Sequence, residues 1–255
     1  MTFLDVWLPA ELSTGWAIAL TVLSFFTSAF TAAFGIGGGV ALITMLLLIL
    51  PPAIVLPLHG VVQMGSNAGR TYAMRSSVRW PIVGWFALGS LLGVALATMV
   101  FVALPQRLLL GLLASFILWS LWMPGISKRA IADRSFTIVG AVATFATMFL
   151  GATGPLVATF WRVEALGRQG VVACHGAVMT VQHGLKVVAF GWLGFAYSEW
   201  LALIVAMIVS GYGGTLLGKH LLSRLPEKRF AMIFKWTLTL LALRLAWSAL
   251  EPGAA

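Results

Sequence analysis

A series of long apolar runs constrains this chain more than any other feature. Residues 16–34, 53–73, 80–102, 107–123, 169–191, 198–218 and 229–249 each approach the roughly 20 residues that an α-helix needs to cross a bilayer core. They are rich in Leu, Ala and Val. Charged residues make up only 9% of the chain and hydrophobic ones 60%, where a soluble domain carries about 25% charged residues. Lipid is therefore the expected solvent for most of the surface. The fold class is all-α integral membrane protein, because a β-barrel would show alternating segments of about 10 residues. Trp16, Trp80, Trp122, Trp161, Trp192, Trp200 and Trp247 fall near run ends, where an indole can bridge headgroups and tails.

Other global features exclude more than they assign. The first apolar run has no basic stretch before it and no small-residue cleavage site, so it does not read as a removable signal peptide. A single cysteine, Cys174, permits no internal disulfide. The net charge of +9 sits in short loops between apolar runs, where it sets orientation rather than binding nucleic acid. Nothing calls for a cofactor or a metal.

The chain repeats itself. A shift of 116 residues places Gly35 on Gly151, Gly38 on Gly154, His59-Gly60 on His175-Gly176 and Arg70 on Lys186. Five further residues in the next loop change the shift to 121, which places Gly93 on Gly214 and Leu104-Pro105-Gln106-Arg107 on Leu225-Pro226-Glu227-Lys228. Residues 16–123 and 136–249 read as two copies of one membrane unit. A segment at 1–15, a linker at 124–135 and a tail at 250–255 complete the chain.

Each copy opens unusually. Residues 16–50 are apolar throughout. As one helix they would span about 52 Å, against a bilayer core of about 30 Å. The centre of this stretch is Gly35-Ile36-Gly37-Gly38-Gly39, and the second copy has Gly151-Ala152-Thr153-Gly154-Pro155. Glycine leaves backbone too free for a helix interior, and proline removes an amide donor. Each copy is therefore expected to begin with two half-helices meeting at a break. Lipid cannot satisfy the freed backbone groups, so each break must lie against protein or water.

Basic residues then orient the copies. Loop 75–79 holds Arg75 and Arg79, while its counterpart at 191–198 holds none. Loop 50–53 holds none, while its counterpart at 161–170 holds Arg162 and Arg168. The turn near Pro105 holds only Arg107, while 219–229 holds Lys219, Arg224, Lys228 and Arg229. Basic loops favour the cytoplasm. A half-helix hairpin plus three spanning helices per copy inverts the second copy, and every loop then obeys the rule. Segments 75–79, 124–135, 161–170 and 219–229 are cytoplasmic in this reading, and both termini are periplasmic. Two inverted repeats with broken helices form the layout of many secondary transporters, with the site between the breaks. The expected location is the bacterial inner membrane.

The second element of each copy holds most of the internal polarity. His59, Gln63, Ser66, Asn67 and Arg70 recur at spacings of three and four, and His175, Gln182, His183 and Lys186 at spacings of three, four and seven. Each set lies on one helical face. Such groups face a cavity or a partner helix. Pathway lining and interhelical hydrogen bonding both fit His59 and His175, and both fit Gln63, Asn67 and Gln182. Arg70 and Lys186 lie near run ends, where snorkelling to the headgroups is the first reading and pairing with an anion the second. Cys174 reads as a small buried side chain, and Gly65-Ser66-Asn67-Ala68-Gly69 as a surface for close helix approach.

No Asp or Glu lies deep in an apolar run; Glu164 and Glu199 sit near ends. A cation site would want such carboxylates. Helix N-termini and Gly-rich amides favour an anion. The candidate binding residues are Gly35, Gly37, Gly38, Gly39, His59, Gln63 and Asn67 from the first copy. From the second they are Gly151, Thr153, Gly154, His175, Gln182 and His183. With no embedded carboxylate, His175 and His59 are the candidate proton carriers, and His183 would extend a path from His175.

At these residues the chain resembles the TauE/SafE family of sulfite exporters and related anion permeases. The resemblance covers about residues 15–250. It rests on Phe34-Gly35-Ile36-Gly37-Gly38-Gly39, on the degenerate second break, and on Arg75-Ser76-Ser77-Val78-Arg79-Trp80. Family members often place a proline shortly after the triple glycine, where this chain has Thr44. Membership implies transport of sulfite, a sulfonate or another organosulfur anion, with protons as a candidate coupling ion. The residues alone point to an anion; the sulfur comes from the resemblance. An anion channel, an intramembrane enzyme and a structural membrane subunit stand as alternatives, and a homodimer stays open. The enzyme would need a nucleophile with its base or a metal cluster, and His59 and His175 lack the spacing of a metalloprotease motif.

Overall fold

The computed structural model describes residues 9, 12–34, 37–100, 105–122, 132–161, 163–221 and 227–250. Gly35, most of segments 1–15 and 124–135, and the tail after residue 250 lie outside them. The described residues form ten α-helices and no strand. In chain order these are α1 Thr14–Phe34, α2 Gly38–Leu46, α3 Pro52–Ala73, α4 Trp80–Val100, α5 Gln106–Trp122, α6 Phe136–Leu150, α7 Gly154–Ala158, α8 Val163–Trp192, α9 Leu201–Leu221 and α10 Glu227–Leu250. Among the described residues, α1, α4, Gln169–Trp192 of α8 and Tyr197–His220 are long and apolar enough to cross a membrane. Large side chains such as Leu88, Leu92 and Leu96 of α4 point outward, while Gly89, Ser90, Gly93 and Ala97 point inward. Bulky groups outside and small ones inside suit a helix whose outer solvent is lipid.

Both breaks fall where the glycines stand, but the limbs are unequal rather than two halves. α1 has 21 residues and α2 nine. At 1.5 Å per residue α1 is about 32 Å long, a full crossing, and α2 is about 14 Å. In the second copy α6 has 15 residues and α7 five. Nothing before Gly35 opposes helix, so α1 runs on to Phe34. The turns need the left-handed backbone of Gly37 (φ 106°) and Gly151 (φ 77°), which glycine alone adopts without strain. Thr44 keeps α2 intact and bonds its hydroxyl to the Val40 carbonyl at 2.7 Å. Pro51 and Pro52 then open α3, as suits a first helical turn.

The helices pair across the two copies. α1 packs chiefly on α9, α6 on α4, α3 on α8 and α5 on α10. The two outer seams share one register. A β-carbon at Gly93 would collide with the Ala141 carbonyl oxygen, and one at Gly214 with that of Phe25. Shifts of 121 and 116 turn the first contact into the second. Likewise Gly140 lies against the Phe86 carbonyl, while its counterpart Ser24 donates to the Met207 carbonyl at 2.7 Å. Gly89 lies against the Thr137 carbonyl, and its counterpart Ser210 donates to the Thr21 carbonyl at 2.8 Å.

Among the described residues, Arg75, Arg79 and Lys219 gather at one end of the bundle. Arg79 pairs with Asp133 at 3.0 Å, and its amide donates to Cys174 Sγ at 3.2 Å. The turn Arg75–Ser77 packs on α8. Lys219, near the end of α9, donates to the Ala73 carbonyl at the end of α3 (3.0 Å). Trp16, Trp80, Trp122, Trp192 and Trp247 are exposed, as expected for interfacial indoles. Trp161 and Trp200 are buried instead.

Candidate functional site

α3 and α8 cross at the centre, and the two breaks end against them. Together they line a partly open cavity of about 30 Å³, room for about two waters. His59, Gln63 and Asn67 line it from α3, and His175, Met179 and His183 from α8. These six are three pairs related by the 116-residue shift. Gly37, Gly39 and Val40 of the first break face Ala152, Gly154 and Pro155 of the second, and Thr31 of α1 completes the wall. Eight residues singled out from sequence thus meet at one place: Gly37, Gly39, His59, Gln63, Asn67, Gly154, His175 and His183.

The remaining described candidates lie just outside. A β-carbon at Gly38 would run into the Thr27 carbonyl oxygen, so this glycine brings α2 against α1 rather than lining the cavity. Gln182 Nε2 donates to Thr153 Oγ1 at 2.9 Å, and Thr153 donates to the Ala143 carbonyl at 3.1 Å. The Gly151 carbonyl accepts from Lys186 Nζ at 3.1 Å and from Thr147 Oγ1 at 3.2 Å. These bonds hold the second break onto α6 and α8.

Around the cavity the hydrogen bonds are specific. His59 Nε2 donates to the Gly39 carbonyl at 2.9 Å, tying α3 to the first break. Asn67 Nδ2 donates to the Gln63 carbonyl at 2.7 Å and to Gln63 Oε1 at 3.3 Å. His175 Nδ1 accepts from Trp161 Nε1 at 2.9 Å, and that indole stacks on Phe136. The interfacial role expected of Trp161 gives way to orienting a cavity histidine. Thr31, Met179 and Trp161 went unrecognised in the sequence. The shift that pairs Gln63 with Met179 would have found Met179; Trp161 pairs with Met45 and left no signal.

Arg70 and Lys186 do not snorkel. Each is buried, at 1% and 0% exposure. Gly69 on Tyr212 of α9, and Gly176 of α8 beside Asn67 and Thr71, bring neighbouring helices over the end of α3. The Nε and Nη1 atoms of Arg70 have no hydrogen-bond partner. The two cations cross over: Arg70 lies within electrostatic reach of His175, and Lys186 of His59 and His183. The buried described residues include no Asp or Glu. Two desolvated cations without a counter-charge are costly, and an anion between them would offset that cost.

A family model for the sulfite exporter TauE/SafE matches residues 20–245. The chain belongs to the TauE/SafE family. No curated protein and no solved structure matches it significantly. TauE/SafE is a family of membrane transporters for sulfite and related anions, and this member is a multi-pass membrane protein. In this TauE/SafE chain the residues that carried the resemblance separate by role. Gly37 and Gly39 line the cavity, Gly38 packs, and Arg79 belongs to the basic end.

Proposed function

We propose that this chain is a secondary transporter that moves a small anion, sulfite, a sulfonate or another organosulfur anion, across the bacterial inner membrane. The observation that carries this reading is the central cavity, flanked by both breaks and by two buried basic side chains, Arg70 and Lys186, that no buried carboxylate among the described residues compensates. Gly37, Gly39, His59, Gln63, Asn67, Gly154, His175 and His183 contact the anion. Arg70 and Lys186 offset its charge from one shell further out.

The halves 16–123 and 136–249 act as inverted repeats that rock about this site. The reciprocal helix pairing and the shared register of the two seams support a two-fold relation. The gathering of Arg75, Arg79 and Lys219 at one end supports the cytoplasmic assignment.

The test is uptake by purified protein in liposomes. Radiolabelled sulfite should enter saturably and show counterflow when unlabelled sulfite is trapped inside. Sulfate, thiosulfate, taurine and sulfoacetate as competitors then rank the substrate class. Conductance without counterflow would establish a channel instead, and no flux of any of these anions would remove the reading.

A further inference from the structure

The hydrogen bond of His175 is that of a neutral ring, whereas His59 Nε2 donates to a carbonyl oxygen, a bond that the neutral and the charged ring both make. His175 Nδ1 faces the Trp161 indole nitrogen, which only donates, so Nδ1 must keep its lone pair. Charging His175 would set two N–H groups head on. Charging His59 or His183 would add a cation beside Lys186, which lies within electrostatic reach of both.

Lys186 differs from all of these. It occupies the place in its copy that Arg70 occupies in the other. A guanidinium keeps its charge, whereas an amine can give up its proton. Lys186 Nζ donates to the Gly151 carbonyl at 3.1 Å, a bond that both NH₃⁺ and NH₂ can make. Its stem lies over Gly60, and the Phe190 ring is 5.8 Å from Nζ. The titratable groups facing it are His59 from α3 and His183 from its own helix. Arg70 lies beside His175. From the turn Tyr197–Trp200, the Tyr197 hydroxyl donates to the Val187 carbonyl beside Lys186 at 3.2 Å; helices α4, α6 and α7 contain no titratable residue, and the turn Arg75–Ser77 holds only exposed Arg75. Lys186 is thus the one cation of the pair that can change charge while keeping its partner.

We propose that Lys186 couples anion movement to protons. This rests on the carrier reading above. On the side of entry the neutral amine takes a proton from water and becomes NH₃⁺ as the anion binds. On the side of exit the same proton returns to water as the anion leaves. Only an N–H bond forms and breaks, and one proton accompanies each anion. Arg70 supplies the charge that never changes.

Wild type and K186R are compared in liposomes at zero membrane potential, with radiolabelled sulfite as probe and an inward gradient of about one pH unit. One proton per anion holds about tenfold accumulation in wild type. K186R holds an inside-to-outside ratio near one, at whatever rate it exchanges. Accumulation that belongs to the proton of bisulfite would survive the substitution, so the comparison separates the two sources. A second measurement serves if K186R moves too little sulfite to follow. Calorimetry of sulfite binding in detergent, in buffers of different ionisation enthalpy, should show wild type taking up about one more proton per sulfite than K186R. K186R that accumulates sulfite like wild type, or equal proton uptake by both proteins, overturns the proposal. Wild type that moves sulfite but ignores the gradient overturns it too and leaves the carrier reading standing. Wild type that neither binds nor moves sulfite overturns the carrier reading, and this inference with it.

Discussion

A β-carbon at Gly154 would come 3.4 Å from His175 Nε2 and 3.8 Å from Met179, inside the cavity. One at Gly38, the matching position of the first copy, would strike the Thr27 carbonyl and the Thr31 hydroxyl of α1. Neither glycine has the left-handed backbone that would bar alanine. Gly154→Ala should therefore fold normally and lower transport kcat/KM for sulfite about tenfold, equivalent to about 1.4 kcal/mol. Gly38→Ala should lose about 1–3 kcal/mol of stability, because backbone must shift to admit the methyl group. Thermal unfolding in detergent and sulfite uptake, measured on both variants, check this. Equal stability of the two would contradict the assignment of packing to one and lining to the other. The sequence made these glycines equivalent, and the 116-residue shift gave no reason to separate them. Their roles depend on which side of each break the neighbouring helix approaches, and that is a tertiary fact. The burial of Arg70 and Lys186 was hidden for a similar reason. Whether a cation near a helix end reaches water depends on how far its neighbours extend.

The element scale was more legible. Spacings of three and four in α3, and of three, four and seven in α8, put His59, Gln63 and Asn67 on one face and His175 and His183 on another, and both faces meet the cavity. The breaks were legible because Gly-rich segments interrupt otherwise uniform helices. The lengths of their limbs were not, since apolar residues support α1 and α2 equally well. The seams between copies left only a trace, in Gly93 and Gly214. Each sits where α4 meets α6 or α9 meets α1 at backbone distance, so Gly93→Ala and Gly214→Ala should each lower unfolding stability by about 1–3 kcal/mol. Gly84 is the control, because its β-carbon would meet nothing within 4 Å. Its substitution by alanine should move stability by less than about 0.5 kcal/mol. If one seam variant is silent while the other is destabilised, the two interfaces are not equivalent.

At the scale of the whole molecule, reciprocal pairing alone does not separate parallel repeats from inverted ones, because either two-fold relation pairs α1 with α9 and α6 with α4. The ends of the helices offer a test between them. Ser77 lies in the turn that follows α3, close to Ala73, which accepts from Lys219 near the end of α9. Its counterpart under the 121-residue shift is Ser198, in the turn before α9 begins at Leu201. α9 has 21 residues and so is about 32 Å long, the thickness of a bilayer core. Ser198 therefore sits a membrane's depth from Lys219, while Ser77 sits beside it. Inverted repeats require this separation of matched residues; parallel repeats would place them at the same level. With Cys174 buried, single cysteines at Ser77 and Ser198 can be probed with a maleimide that does not cross membranes. The Ser77 variant should react only from the cytoplasmic face and the Ser198 variant only from the opposite face. Reaction of both from one side would remove the inversion, and with it any alternating-access mechanism built on a two-fold axis in the membrane plane.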